Sequence, residues 1–440
     1  MSAAGRPDGL DASSRPSIAG LVQHARGPLG RGAFYLSLNQ AVVSGLGFVF
    51  WILAARTYHP QAVGQATSLV AVGVFLAILS TLGLPYALVR HLPSASHPRQ
   101  LATRVLALTA GVGSAFGAAG AVLLAALSPD FAFLVLDPVD FFLFAAFVAV
   151  FTVEVVLEQA LVAGRRSELT TVMLLAFGLL RLAGPLLAPG ASARELLLAW
   201  AASMGVAVVI SLLAFLPRAL ATIVPPAGAG GKPVRLLLSY AGANHAVTLL
   251  ALAGPSLLPA ALFVVLAGPQ GASAAATFYI AYQVAALLLT VSVALALVQF
   301  AEGARPGADW RADEHRAIGL GLVVVVPGAI AAAAFAPAIL SLFGPVYAEQ
   351  GYALLQVLAL ASIASVPATI LASRYRLAAK FRRPVAASAL SSGIALAGAV
   401  VTVPAVGLTG AGWAFLGGQV LAALVLRWRR GPDSQAAGGR

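Results

Sequence analysis

Runs of roughly twenty apolar residues, the length that crosses ~30 Å of hydrocarbon at 1.5 Å per residue, recur along this entire 440-residue chain. They fall near 33–55, 64–88, 102–127, 139–163, 169–188, 195–217, 236–265, 273–299, 316–341, 351–373, 384–404 and 408–427. The pattern predicts an all-α integral membrane protein with twelve transmembrane helices, spans 1–12. Only 10% of residues are charged and 60% are hydrophobic, against about 25% charged in a soluble domain. Such a chain cannot cover itself with a water-compatible surface. It contains no cysteine, which excludes disulfides, thiolate metal sites and cysteine nucleophiles. No other metal-ligand pattern or cofactor motif is present.

Loop charges set the orientation. Of 27 lysines and arginines, 24 fall on one side of the twelve-span pattern, Arg56 and Arg194 on the other, and Arg181 inside span 5. The positive-inside rule assigns the crowded side, with both termini, to the cytoplasm. The net charge of +12 is scattered over short loops, so no continuous patch follows a phosphate backbone and nucleic acid is excluded as a partner. The N-terminal segment lacks a short apolar core with a cleavage site, so no removed signal peptide is expected. Lysine is confined to Lys232 and Lys380; with the Ala, Gly, Leu and Val bias, this suggests a GC-rich bacterial genome and thus the bacterial inner membrane.

The two halves resemble each other. Tyr35, Asn39, Ala41 and Val42 match Tyr240, Asn244, Ala246 and Val247 at an offset of 205. Pro60-Gln61 matches Pro269-Gln270, and Ala87-Leu88-Val89 matches Ala296-Leu297-Val298, at an offset of 209. The difference predicts four inserted residues at the outer end of span 7. Six spans per half give both halves the same orientation, related by a pseudo-two-fold axis along the membrane normal, as in parallel-repeat transporters. The expected units are a cytoplasmic tail 1–32, a lobe 33–217, a linker 218–235, a lobe 236–427 and a tail 428–440.

Ionisable groups inside spans are costly, by ~2.5–3.5 kcal/mol on insertion scales, and mark cavities or partners. Glu154 and Glu158 share one face of span 4 at i and i+4. Glu154 lies ~13 Å and Arg181 ~18 Å from the cytoplasmic ends of their spans, so an ion pair between them is feasible. As a buried pair they are structural; as protonatable cavity groups, the glutamates couple transport to a proton or cation gradient. Asn39 and Gln40 in span 1 and Asn244 and His245 in span 7 occupy matching repeat positions. They suit either interhelical hydrogen bonds or sugar hydroxyls, which need both donors and acceptors; His245 is a second coupling candidate. Gln283, with Tyr279 and Tyr282, adds a sugar-facing surface or plain packing on span 8. Gly254-Pro255 and Pro259 should kink span 7 and make it a gate. Gly113 and Gly117 read as close-packing positions.

Three segments carry a family resemblance. The first runs from Leu38-Asn39-Gln40 through Ala54-Ala55-Arg56-Thr57-Tyr58 and Val63-Gly64-Gln65 to Leu82-Gly83-Leu84-Pro85. The second is Leu340 to Tyr347 with Leu355 to Ala359; the third is Gly407 to Ala414. Together they resemble the polysaccharide-biosynthesis flippases, in the superfamily that also holds multidrug exporters and lipid II flippases. The resemblance implies alternating access between two lobes, moving a lipid-linked oligosaccharide to the outer leaflet, with polysaccharide synthesis proteins as companions. Lipid II flippases resemble one another in several cavity arginines; spans 1 and 7 here have no interior Arg or Lys, which argues against lipid II. Arg90, Arg235 and Arg316 at the cytoplasmic mouth are then the candidates for a carrier diphosphate. A multidrug/cation antiporter of the same superfamily is the alternative. An enzyme is not expected, because the longest outer loop, near 128–138, offers only Asp130 and Asp137, with Asp140 just beyond. A transport-dead scaffold is the remaining reading.

Overall fold

The computed structural model describes residues 28–187, 192–223, 234–303 and 310–428. Of these, the side chains of 28–38, 40, 41, 234–240, 300–303 and 310–312 lie outside the described set. The described residues form helices joined by short turns, with no strand among them. The twelve long helices are α1 (Pro28–Thr57), α2 (Pro60–Ser80), α3 (Pro98–Leu127), α4 (Pro138–Ala163), α5 (Ser167–Leu187) and α6 (Ala193–Ile210). They continue with α7 (Val234–Leu266), α8 (Gly268–Gly303), α9 (Trp310–Ala334), α10 (Pro345–Leu377), α11 (Arg382–Val406) and α12 (Thr409–Arg427). Eleven of them, α2 to α12, are long and apolar enough among the described residues to cross a membrane. In α1 the described apolar part is Val42–Thr57, and the helix itself spans 30 residues. The chain is a multi-pass integral membrane protein.

Local chemistry starts these helices where the sequence turns. Proline opens α2, α3, α4 and α10 within the first turn, where its missing N–H is no loss. The Asp137 side chain caps α4 by accepting from the Val139 N–H at 2.8 Å, and a Ser192–Glu195 capping box opens α6. Span 2 departs from a single helix: α2 stops at Ser80, and the chain resumes as Leu84–His91. Leu82 and Gly83 both take positive φ, 50° and 76°, a break that the Gly83-Leu84-Pro85 sequence favours. Span 6 likewise ends in a π-helical turn, Ser211–Phe215, before Leu216–Leu220.

Helix pairing follows the duplication. In the first half α1 packs on α5, α2 on α3 and α4, α4 on α3 and α6, and α5 on α6. In the second half α7 packs on α11, α8 on α9 and α10, α10 on α9 and α12, and α11 on α12. The pairs correspond one to one, as two six-helix lobes related by a pseudo-two-fold axis require. Pro60-Gln61 opens α2 and Pro269-Gln270 opens α8, so the matched dipeptides hold equivalent places. The four extra residues lengthen the helix itself: α7 runs four residues further from Tyr240 to Leu266 than α1 does from Tyr35 to Thr57. They add about one helical turn.

Candidate functional site at the lobe interface

The lobes meet through α2, which packs on both α7 and α8. At the end of α2 nearer Pro60, opposite the Arg-rich loops, the approach is close. A Cβ on Gly64 of α2 would lie 2.0 Å from the Ala272 carbonyl oxygen of α8, so only glycine fits. Rings meet across the same level: Trp51 with Tyr279 at 5.1 Å, Phe48 with Phe343 at 5.1 Å and Phe131 with Phe263 at 5.0 Å between centroids. Toward the Arg-rich end the apolar core separates. Ala296, Ala317, Val325, Val366 and Ile370 form one cluster, and Ala368, Leu371, Ala387, Ala422 and Leu426 another, both confined to the second lobe. The contacts that remain there join α2 to α7: the Gly83 turn sits against Ala241 and His245, and Tyr86 Oη lies 3.2 Å from Thr248 Oγ1. Among the described residues the lobes thus pack closely at the end away from the Arg-rich loops, and at the Arg-rich end α2 and α7 stay in contact through Gly83, Ala241, His245 and Tyr86.

Arg181 lies inside the first lobe, ~21 Å along α5 from Ser167, and is 1% exposed. Its guanidinium rests over the rings of Phe177 (4.6 Å), Trp200 (4.8 Å) and Phe50 (5.8 Å). Among the described residues its one hydrogen bond runs from Nη2 to the Val43 carbonyl of α1 at 3.3 Å; Gly47 leaves room, since a Cβ there would come within 3.2 Å of Nη2. Nε of Arg181 and Nε1 of Trp200 are both buried without an acceptor among the described residues. The expected ion pair to Glu154 does not form. Phe151, one turn before Glu154, stacks on Trp200 (5.9 Å) and meets Phe177 edge-on (5.7 Å), so aromatic rings fill the space between the charges. Glu154 is buried and Glu158 partly so, on the one face that their spacing dictates; neither has a hydrogen bond or ion pair among the described residues. A buried guanidinium over rings is attractive electrostatically, yet cation–π contacts do not replace a counter-ion.

The other candidates separate into different environments. Asn39 Oδ1 accepts from Thr171 Oγ1 at 2.5 Å, while its buried Nδ2 has no partner among the described residues. Asn39 and Arg181 thus share the α1–α5 seam, one turn apart on α1 through Val43. Its repeat mate Asn244 is also buried, and its backbone carbonyl accepts from Thr248 Oγ1 at 3.1 Å. The His245 ring bonds the Leu79 carbonyl of α2 and leaves Nε2 without a partner. His245 therefore lies between the lobes. Gln283 Nε2 is 3.4 Å from Tyr279 Oη, which links it to Trp51 and the Arg181 cage. Arg90 and Arg316 are exposed on opposite lobes, with Arg316 3.9 Å from Asp313. The side chains of Gln40 and Arg235 lie outside the described residues.

A side chain of the other seam helix bonds the predicted gate helix beside its prolines. Ser392 of α11 donates to the Leu250 carbonyl at 2.5 Å and accepts the Gly254 N–H at 3.0 Å. Leu250 and Gly254 are i and i+4, partners that a regular helix would bond directly. The serine thus bridges these two groups one residue before Pro255. Side-chain insertion and proline are both recognised causes of helix bends.

Sequence reasoning missed Ser392, Thr171 and the aromatic cage. The cage had a signal: two of the five tryptophans, Trp51 and Trp200, fall inside spans 1 and 6, toward the same outer half as Arg181. Ser392 had none, because serine in a membrane helix is common and its partner is set only by packing.

The fold is that of known transporters. A MOP superfamily transporter from Pyrococcus furiosus, described as having a binding pocket of reversed polarity, superposes with a TM-score of 0.63 at 14% identity, over 94% of this chain and 97% of that one. A multidrug-resistance MATE transporter in an inward-facing conformation gives 0.67 at 14% identity, over 90% and 96%. A point mutant of the Vibrio cholerae MATE transporter VcmN gives 0.60 at 14%, over 91% and 94%. Neither a protein-family model nor a curated protein sequence matches the chain. At these identities the likeness shows the fold alone, a two-lobed bundle of transmembrane helices.

Proposed function

We propose that this chain carries an anionic lipid-linked oligosaccharide from the cytoplasmic to the outer leaflet of a bacterial inner membrane, by alternating access between its lobes. One observation carries the reading: Arg181, a fixed positive charge without a carboxylate partner among the described residues, is held among aromatic rings where the lobes touch through Trp51 and Tyr279. Aromatic faces suit sugar rings, and guanidinium and indole N–H donors suit phosphate or uronate oxygens. Parting the Trp51–Tyr279 contact opens this cage toward the cleft. The arginines at the cytoplasmic mouth, Arg90, Arg235 and Arg316, would then meet the carrier diphosphate near the headgroups. Glu154 and Glu158 supply the proton- or cation-coupling group.

A second reading, export of cationic drugs, is favoured by the same two unpaired glutamates. The test is translocation of a fluorescent lipid-linked glycan in proteoliposomes, run beside efflux of a cationic dye. For the flippase, Arg181→Met should lower glycan movement at least tenfold. Removing an uncompensated buried charge should leave the melting temperature unchanged or raise it. Dye efflux that survives Arg181→Met but not Glu154→Gln, with no glycan movement, would establish the antiporter instead.

A further inference from the structure

The outer seal includes polar contacts that its apolar packing does not require. Arg56, in the last turn of α1, donates from Nε to the Leu342 carbonyl at 2.6 Å and from Nη2 to the Ser341 carbonyl at 3.2 Å. Those carbonyls end the short helix Ala336–Ser341 of the other lobe. Asp130, in the turn between α3 and α4, accepts the Gly268 N–H of the other lobe at 2.9 Å through Oδ2. Gly268 is the first residue of α8, and the residue before it, Ala267, also has a positive φ of 50°. Asp130 is itself held: Gln65 Nε2 donates to its carbonyl at 3.3 Å, and Ser128 Oγ lies 3.3 Å from Oδ2. A cation on one lobe thus caps the C-terminal end of a helix on the other, and an anion on the first lobe caps an N-terminal end on the second. Both signs match the helix dipoles they face.

We infer that Arg56 and Asp130 form a two-point electrostatic latch that holds the outer face closed, and that each transport cycle must release it. Both points join the lobes and both lie on the outer face. Their acceptors and donor are backbone groups, so the grip depends on where the helix ends sit and not on partner side chains. Arg194, the other outer arginine, serves as an internal comparison. It bonds Asp140 at 2.6 Å and also Asp137, and all three residues belong to the first lobe. The inference assumes that the lobes separate on the outer side; it does not depend on the substrate.

The absence of native cysteine permits a direct test. Leu136→Cys and Val346→Cys place spin labels on exposed outer positions of opposite lobes, and double electron–electron resonance in proteoliposomes reads their separation. The short distance should dominate in the otherwise native chain. Arg56→Ala and Asp130→Asn should each raise the long-distance population roughly three- to fivefold, and about tenfold together. Arg56→Lys should fall between, and Arg194→Gln should leave the distribution unchanged. A single monodisperse species for each variant guards against misfolding. Distributions that superimpose for all variants would overturn the latch; so would an equal shift in Arg194→Gln, which would indicate a general effect of outer charge.

Discussion

Gly64→Ala is a wedge driven into the outer seal, and its size can be worked from the backbone. The new Cβ would lie 2.0 Å from the Ala272 carbonyl oxygen, 2.7 Å from its carbon and 2.9 Å from its Cα. Ordinary contact begins near about 3.4 Å, so α2 and α8 must part by more than an ångström. No flexible side chain can absorb this, because all three neighbours are main-chain atoms. Overpacking of this kind costs ~1–3 kcal/mol, a factor of roughly five to a hundred in a two-state equilibrium at 1.4 kcal/mol per tenfold. Because the strained contact lies between lobes, it is relieved when the outer face opens. The expected result is a shift toward the outer-open form, read by the Leu136–Val346 label pair, with little loss of thermal stability. Gly117→Ala provides the contrast. Its Cβ would come 2.7 Å from Ala145 Cα, but α3 and α4 belong to one lobe, so it should lower the melting temperature without shifting the distance. If Gly64→Ala lowers the melting temperature as Gly117→Ala does and leaves the distance unchanged, the reasoning from interface placement fails.

Three further outcomes follow from the site. Ser392→Ala removes the bridge between Leu250 and Gly254, so α7 either recloses its ladder or keeps two unpaired groups at ~1–3 kcal/mol; glycan flipping should slow several-fold. Hydrogen exchange at Gly254 will show which of the two occurs, and unchanged flipping would remove Ser392 from the gate. Glu154→Gln and Glu158→Gln should each abolish stimulation by an imposed proton gradient without blocking downhill movement, measured in the same vesicles. Asp137 is held below the usual carboxylate range by the Val139 N–H and by Arg194. It therefore contributes stability above its unfolded value of about 4, and that contribution is lost as pH falls through the acid range. Melting curves of Asp137→Asn should lack this part of the acid destabilisation.

The number of spans was legible because a 30 Å apolar slab demands long hydrophobic runs whatever the sequence does elsewhere. The duplication was legible too, since Pro60-Gln61 and Pro269-Gln270 mark the same helix start in each lobe. The break at Leu82 and Gly83 was not separated from span 2, because hydropathy stays high through a backbone turn. Depth alone suggested that Glu154 could reach Arg181; azimuth decided otherwise. Helix rotation turns Arg181 toward Val43 and Trp200, and Phe151 fills the intervening space. Cross-lobe capping by Arg56 and Asp130 had no local sequence signature, since the groups they bind are backbone.

The two lobes repeat their helix pairs, so their differences point to what duplication did not preserve. The α1–α5 seam of the first lobe holds Arg181 and the Asn39–Thr171 bond. The equivalent α7–α11 seam holds no charge among the described contacts; Ser392 there bridges Leu250 and Gly254 of a helix one turn longer and bearing Pro255 and Pro259. In the first lobe α2 is broken at Gly83, where the ring of His245 reaches the Leu79 carbonyl; α8, its counterpart, continues unbroken to Gly303. A charge lies in one lobe and a serine bridge beside two helix prolines in the other, and the broken helix joins them. This division suits a carrier whose first lobe recognises an anionic cargo while α7 bends to change which face is open. Arg181→Met should therefore impair glycan binding and leave the distribution of outer distances intact, while Ser392→Ala should do the reverse. If either substitution changes both properties equally, recognition and bending are not divided between the lobes.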